Sequence, residues 1–245
     1  MGNFYADNPD LQFYVDRFLD WKPLVDLTEY LGKAPDAFKT TEEALAFYKD
    51  ILNLVGEFAA TEIAPFTAEL DRQGIDFQDG EATLPARQAK IFEALRKLEL
   101  HGMCLPRELG GMNVPFITFL INTELLARAD ASVMAHHGFH GGTAMAMLLF
   151  SLREGTTEFD AAAGRMTKTR FAKEIEEIRL GKAWGSMDIT EPDAGSDMAQ
   201  LRTIGVQGAD GSWTVTGQKI FITSGNGKYH FVIARTETAT TSDDP

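Results

Sequence analysis

The chain has 245 residues, 44% hydrophobic and 24% charged, an ordinary globular composition with room for one large domain or two modest ones. A formal net charge of −13 disfavours general binding to nucleic-acid backbones, and the single cysteine, Cys104, excludes an internal disulfide or a multi-cysteine zinc site. No apolar run approaches the roughly 20 residues needed to span a bilayer, and no signal or transit peptide is visible, so a reducing cytoplasm is the expected setting.

Up to about residue 180 the apolar spacing is helical. Asn8-Pro9 is a capping residue followed by proline at the first helical position, and Leu11, Tyr14, Val15, Phe18 and Leu19 then fall on one face. Trp21-Lys22-Pro23 is expected to close that segment. Thr40 and Glu43 form a capping box ahead of a longer helix with the stripe Leu45, Tyr48, Leu52, Val55 and Ala59. Pro65 should kink or end it, and Gly74 should stop what continues. Further helices are predicted near 86–100, 115–129, 131–150 and 166–180, with a polar loop from Arg153 to Gly164.

After Gly181 the period changes. Five short stretches rich in β-branched or aromatic residues read as strands: Ala183–Thr190, Leu201–Gln207, Ser212–Thr216, Lys219–Thr223 and Tyr229–Thr236. Turn signals at Pro192 with Gly195, Asp210-Gly211, Gly217 and Asn226-Gly227 separate them, which predicts an antiparallel meander. Thr236–Pro245 reads as a loop or linker. About five strands within roughly 60 residues leave unpaired edges, so the sheet is expected to be incomplete and the chain to be one piece of a longer or divided protein. The expected fold class is α+β: an N-terminal helical bundle, then the first part of an antiparallel β-domain.

Two segments carry the chemistry. In the first, Trp184 to Asp197, a strand runs into Ile189-Thr190-Glu191-Pro192-Asp193-Ala194-Gly195-Ser196-Asp197. Gly195 lets a ligand approach the backbone, Thr190 and Ser196 offer hydroxyls, and amides near Gly195-Ser196 could cradle a phosphate. The same residues also read as an ordinary strand-linking turn. In the second, Gly217 to Gly225, alternation puts Phe221 and Thr223 on one face and Ile220 and Ile222 on the other. An aromatic beside a hydroxyl suits a heterocycle; a half-buried strand with a core Phe is the plainer reading.

Together the segments resemble the acyl-CoA dehydrogenase family. Its signature, a hydrophobic residue and Thr-Glu-Pro ahead of a small residue and Gly-Ser-Asp, stands at Ile189–Asp197, and a Gly-x-Lys-x-aromatic-Ile-Thr strand follows at Gly217–Thr223. The resemblance covers about residues 45 to 236. It implies three parts: a helical extension at 1–40 like that of the family's larger members, the helical N-terminal domain at 41–180, and the first part of the flavin-binding β-domain at 181–245.

The resemblance also implies FAD as cofactor, with Met187, Ile189, Thr190, Gly195, Ser196, Phe221, Ile222 and Thr223 as its contacts. Phe221 would cover one flavin face; many relatives have Trp there. The implied reaction is α,β-dehydrogenation of an acyl-CoA thioester, in which a carboxylate removes the α-proton and the β-hydrogen leaves as hydride. In the family that base is a Glu of a C-terminal helical domain. No such domain is found in this chain, so no catalytic residue is assigned and the chain alone is expected to be inactive. Ser196, His137 and Phe139 are the implied substrate contacts, the last two shaping the acyl pocket. The implied partners are an electron-transfer flavoprotein, the remaining C-terminal part or a partner chain, and further copies in a homo-oligomer. An acyl-CoA oxidase or flavin monooxygenase of the same fold, or a non-catalytic subunit of a split enzyme, are the alternatives.

The remaining candidates have plainer readings. His136 and His140 stand at i and i+4, the spacing of a helical metal site, but Gly138, Gly141 and Gly142 weaken the helix and no carboxylate is close, so packing is expected and no metal. Leu105–Gly111 lacks a following Lys-Ser/Thr and reads as a helix-connecting turn, not a phosphate loop. Lys168–Arg179 reads as a solvated helix face. Cys104, between Met103 and Leu105, reads as a small buried hydrophobe.

Overall fold

The computed structural model describes residues 2–33 and 36–237, which form two compact units divided between Ala183 and Trp184. In the first unit, α1 (Pro9–Phe13) starts where Asn8 accepts from the Asp10 and Leu11 amides, with Pro9 in the first turn. The predicted single face does not persist. Tyr14–Phe18 is a π-helical turn in which the Leu19 amide bonds back to the Tyr14 carbonyl, and this widening keeps Leu11 and Val15 buried while turning Tyr14 and Phe18 outward. Nor does Trp21 close the segment. Asp20 caps a new helix, α2 (Trp21–Thr28), and Pro23 is tolerated because first-turn amides need no helical acceptor. The Trp21 indole N–H donates to the Val15 carbonyl at 2.7 Å.

The capping box opens α3 (Thr41–Phe58). The Glu43 amide donates to Thr40 Oγ1 at 3.1 Å, while Glu43 Oε2 accepts from the Lys39 amide at 3.0 Å, one residue ahead of the cap. Tyr48, Leu52, Val55 and Ala59 are fully buried. Around Pro65 the helix passes through a π turn and a 3₁₀ turn into α4 (Thr67–Gln73), which ends at Gly74 with φ 64°. Then come α5 (Ala86–Lys97), α6 (Phe116–Ala129), α7 (Ala131–Arg153) and α8 (Ala172–Arg179). Asp130 ends α6 and caps α7 through the Ser132 and Val133 amides. Ile91, Leu95, Leu125, Leu126 and Val133 join the α3 stripe in one core, and each such side chain contributes about 1.5–3 kcal/mol by burial.

Helical periodicity missed two hairpins here. β1 (Asp76–Gln78) pairs antiparallel with β2 (Glu81–Thr83) across Asp79-Gly80, both at positive φ as a primed turn requires. β3 (Glu158–Asp160) pairs with β4 (Arg165–Lys168), so the predicted 153–164 loop contains a strand and the helix predicted from 166 begins only at Ala172.

The second unit contains β5 (Gly185–Asp188), β6 (Ile204–Gln207), β7 (Trp213–Thr216) and β8 (Tyr229–Val232). As the Asp210-Gly211 signal predicts, β6 and β7 form an antiparallel hairpin, with Gly211 at φ 83°. The expected continuous meander fails at two places. First, β5 and β8 run parallel, Ser186 in register with His230, because the long segment between them crosses over instead of turning back. Second, residues 219–223 form no strand. Gly217 passes so close beneath Thr203 that an added Cβ would collide with it, which ends β7, and the backbone beyond is drawn elsewhere. A parallel bridge from Ile204 to Arg235 links β6 to the chain after β8. Most of the predicted final loop, 238–245, lies outside the described residues. Among the described residues no helix is long and apolar enough to cross a membrane.

Candidate functional site

The second unit draws its two chemistry-bearing segments together. Glu191 leaves β5 through Ile189 and Thr190 and is buried, 6% exposed. Its Oε1 accepts from Lys219 Nζ at 2.8 Å and from the Thr203 amide at 2.9 Å, and its Oε2 accepts from the Arg202 amide at 2.6 Å. Lys219 Nζ also donates to the Ile189 carbonyl at 2.9 Å, and the Ile220 amide to the Thr190 carbonyl at 2.9 Å. These bonds replace the ladder expected for 219–223 and explain why no strand forms there. Burial alone would raise the Glu191 carboxyl, but Lys219 and the Thr203 and Arg202 contacts outweigh it and hold the group at about 2. Glu191 is therefore a structural anion with both oxygens engaged.

Phe221 sits in the left-handed region at φ 58° and is 88% exposed; Ser224 follows at φ 60°. The alternation expected for Phe221 and Thr223 is thus absent, since left-handed backbone at Phe221 breaks the pleat. Left-handed backbone at a non-glycine residue costs about 1–2 kcal/mol. Met187 is half-exposed, on the face of β5 opposite buried Ser186 and Asp188. Ile189, Thr190 and Ile222 are half-buried, and Gly195, Ser196 and Thr223 are open to solvent. No heavy atom lies within 4 Å of where a Cβ on Gly195 would stand. Open apolar side chains, hydroxyls and a bare backbone on these two joined segments are the group types that suit a flat aromatic heterocycle carrying phosphate.

The histidines lie in the first unit. His136, His137 and His140 of α7 meet His101, which sequence reading left apart because it arrives from a distant turn. His101 stacks on His140 with centroids 4.4 Å apart, and the His136 ring meets His140 edge-on at 4.7 Å. All four are buried. Desolvation, reinforced for His101, His136 and His137 by neighbouring imidazoles, drives them down, His101 to about 2 and His136 and His137 to about 3. His140 falls to about 4, its loss to burial partly offset by the His136 carbonyl 2.8 Å from Nδ1. That contact occupies one ring nitrogen of the i,i+4 pair, and the described residues include no group of three or more side chains set for a metal ion. His137 and Phe139, two positions apart on α7, point to opposite sides of the helix.

Burial pushes the Cys104 thiol up to about 12, so it is no thiolate nucleophile. Leu105–Gly111 is a closed turn, where a Cβ on Gly111 would strike the Leu105 carbonyl; its Arg107 grips buried Glu29 at 2.7 and 2.8 Å.

Comparison with known proteins agrees with this layout. Residues 47–163 match the acyl-CoA dehydrogenase N-terminal domain and residues 186–244 the acyl-CoA dehydrogenase middle domain. The chain is 26% identical over 241 residues to 3-methylmercaptopropionyl-CoA dehydrogenase of Ruegeria pomeroyi, covering 96% of this chain and 37% of that protein. It is 32% identical over 201 residues to the broad-specificity linear acyl-CoA dehydrogenase FadE5 of Mycobacterium tuberculosis, covering 78% of this chain and 30% of that one. Among solved structures, acyl-CoA dehydrogenase complexed with FAD from Bacillus anthracis shares the fold with TM-score 0.58 and 19% identity, over 83% of this chain and 30% of that chain. The chain thus spans about a third of the length of these proteins. With both domain matches in the order that the two units take along the chain, this protein belongs to the acyl-CoA dehydrogenase family.

Proposed function

We propose that the second unit holds FAD and that the protein of which these residues form part dehydrogenates an acyl-CoA thioester at its α,β bond. The observation that carries this reading is the join between the two segments: Lys219 bonded to Glu191 and Ile189, and Ile220 bonded to Thr190. It anchors the strained, exposed Phe221 to a loop of hydroxyls and open glycine.

When bound, FAD would supply the two-electron acceptor for the β-hydrogen. Phe221 and Met187 would cover apolar ring surface, and the Thr190 and Thr223 hydroxyls would meet its polar edge. Ser196 and the open backbone at Gly195 would receive phosphate oxygens of the cofactor or of coenzyme A. None of these groups abstracts the α-proton. A base needs a free carboxylate with a pKa near the working pH, and Glu191, held at about 2 with both oxygens engaged, fails on both counts. Glu191 is therefore not the base, and no residue of this chain is assigned that role. Phe139 remains a proposed contact with the acyl group, whereas His137, on the opposite side of α7 and packed on His101, is not kept in that role; an electron-transfer flavoprotein is the proposed electron acceptor. The names of the relatives support an acyl-CoA substrate; the Bacillus anthracis structure supports FAD.

Titration of the purified chain with FAD, read by flavin absorbance and fluorescence, tests the cofactor. Saturable spectral change that weakens in Thr190→Ala and Phe221→Ala is the expected result. No change in the flavin spectrum at any protein concentration would contradict it.

A further inference from the structure

The proposed flavin face is carried by β5, and the other side of that strand holds a cluster with no part in the reading above. Alternation along Gly185–Asp188 turns Ser186 and Asp188 away from the exposed Met187. Both meet His230, which lies opposite Ser186 in the parallel pair. His230 Nδ1 is 2.9 Å from Asp188 Oδ2 and 2.9 Å from Ser186 Oγ, and the Ser186 hydroxyl donates to Asp188 Oδ1 at 2.6 Å. The other ring nitrogen, Nε2, is 2.9 Å from the Gly227 carbonyl oxygen. Ser186 is fully buried and Asp188 nearly so, while about a third of the His230 side chain is exposed.

These distances define the hydrogens. A carbonyl oxygen only accepts, so Nε2 must carry one; an ionised carboxylate only accepts, so Nδ1 must carry the other. Ser186 gives its single hydroxyl hydrogen to Asp188 and can only accept from the ring. All contacts are satisfied together by an imidazolium and by no neutral tautomer. Nor is this a nucleophilic triad, although it contains Ser, His and Asp. Serine and aspartate share one ring nitrogen, and the other faces a backbone carbonyl, so the ring cannot take a proton from serine while aspartate orients its far side.

We propose that Ser186, Asp188 and His230 form a proton-dependent clamp that fixes the exit of β5 against the entry of β8 and so positions the Ile189–Asp197 loop for the cofactor. The proposal rests on the flavin reading of that loop. Asp188 is the last residue of β5, and Gly227 lies in the turn leading to β8, so one ring ties strand exit to turn. Asp188 also accepts the Ile233 amide on its carbonyl at 3.1 Å, just past β8. Among the described residues, Asp188 faces the ring from β5, Lys228, two positions before His230, holds its ammonium over the Tyr229 ring at 5.2 Å, and the Glu191–Lys219 pair follows beyond the β5 exit. Loss of the Nδ1 hydrogen would leave a lone pair 2.9 Å from a carboxylate oxygen, which repels where it had bound. His230, Asp188 and Ser186 are thus positioning residues and touch no reacting atom.

Three readings on the purified chain between about pH 5.5 and 8.5 test this: the nitrogen NMR signals of the His230 ring, hydrogen exchange at the Ile233 amide corrected for intrinsic rate, and FAD titration. In the wild type the ring should show two protonated nitrogens at the acid end. Raising the pH, or replacing His230→Gln or Asp188→Asn, should speed Ile233 exchange and weaken FAD by about tenfold each. The variants should lose the pH dependence, and Ser186→Ala should act in the same direction more mildly. One bare ring nitrogen at pH 5.5, or wild-type exchange in His230→Gln, overturns the clamp. Should a variant fail to fold, the wild-type ring signals decide the matter alone. A wild-type chain with the clamp signature and no affinity for FAD would overturn the flavin reading instead, and with it the positioning role.

Discussion

Lys219 Nζ lies 2.8 Å from Glu191 Oε1 in a pair that is almost wholly buried and joins the signature loop to the segment carrying Phe221. Breaking a buried pair by removing one partner strands the other charge, a loss of about 3–5 kcal/mol. Lys219→Met should therefore destabilise the second unit strongly, and adding Glu191→Gln should restore part of the loss. Urea unfolding of the single and double variants measures this; a single variant as stable as wild type would contradict the arrangement.

The same pair sets an acid limit. Glu191 is held at about 2 in the fold, below the 4.5 of a free glutamate side chain. Its contribution is complete above the unfolded value and is lost as pH falls from about 4.5 towards 2. Unfolding of wild type and Glu191→Gln should show in the wild type an added loss of stability below about pH 4.5, on top of the histidine response that both share, which the variant lacks.

A second acid response belongs to the first unit and begins at higher pH. His101, His136, His137 and His140 have folded values of about 2 to 4 against 6.5 for the free group. As pH falls through 6.5 the unfolded chain binds protons first, so stability is complete above that value and declines below it, by about 2 kcal/mol per isolated histidine at pH 5. Urea midpoints at pH 7 and pH 5 should separate clearly, and His101→Phe should narrow the gap. Equal midpoints would mean that the rings are not buried together.

Phe221 offers a test in which stability and binding move in opposite directions. Phe221→Gly relieves the left-handed strain and should gain about 1 kcal/mol, less the added entropy of glycine. It removes the proposed flavin wall, so FAD affinity should fall. Unchanged affinity would remove Phe221 from the site.

Gly217 tests the turn that ends β7. An added Cβ meets both side-chain and backbone atoms of Thr203, and backbone cannot swing aside. Gly217→Ala should cost about 1–3 kcal/mol by overpacking, and Thr203→Ser should not relieve it, because the Thr203 Cα and Cβ remain. Thermal unfolding of the single and double variants measures both effects.

The features legible in the sequence are those whose cause is local. Asn8-Pro9, Thr40 with Glu43, Gly74 and Asp210-Gly211 act through neighbouring amides or through backbone freedom that the residue itself supplies. What stayed hidden depends on partners far along the chain. Nothing in Tyr229–Val232 shows that it will lie parallel to β5, and nothing local shows that Lys219 will reach the Ile189 carbonyl instead of extending a strand. The π turn after Phe13 preserves an apolar spacing while changing which side chains it buries. The site segments were legible as motifs, whereas the left-handed Phe221 was not, because the sequence favours extended backbone there and only the tertiary bonds override it.

The most direct test of the account is titration of the chain with FAD beside the Lys219→Met/Glu191→Gln variant, both shown folded by circular dichroism. Saturable binding of one flavin per wild-type chain, with a perturbed absorbance band, is expected, and affinity reduced at least tenfold in the variant. Equal affinity in both, or no binding to the wild type, would contradict the claim that the join between these two segments builds a flavin site.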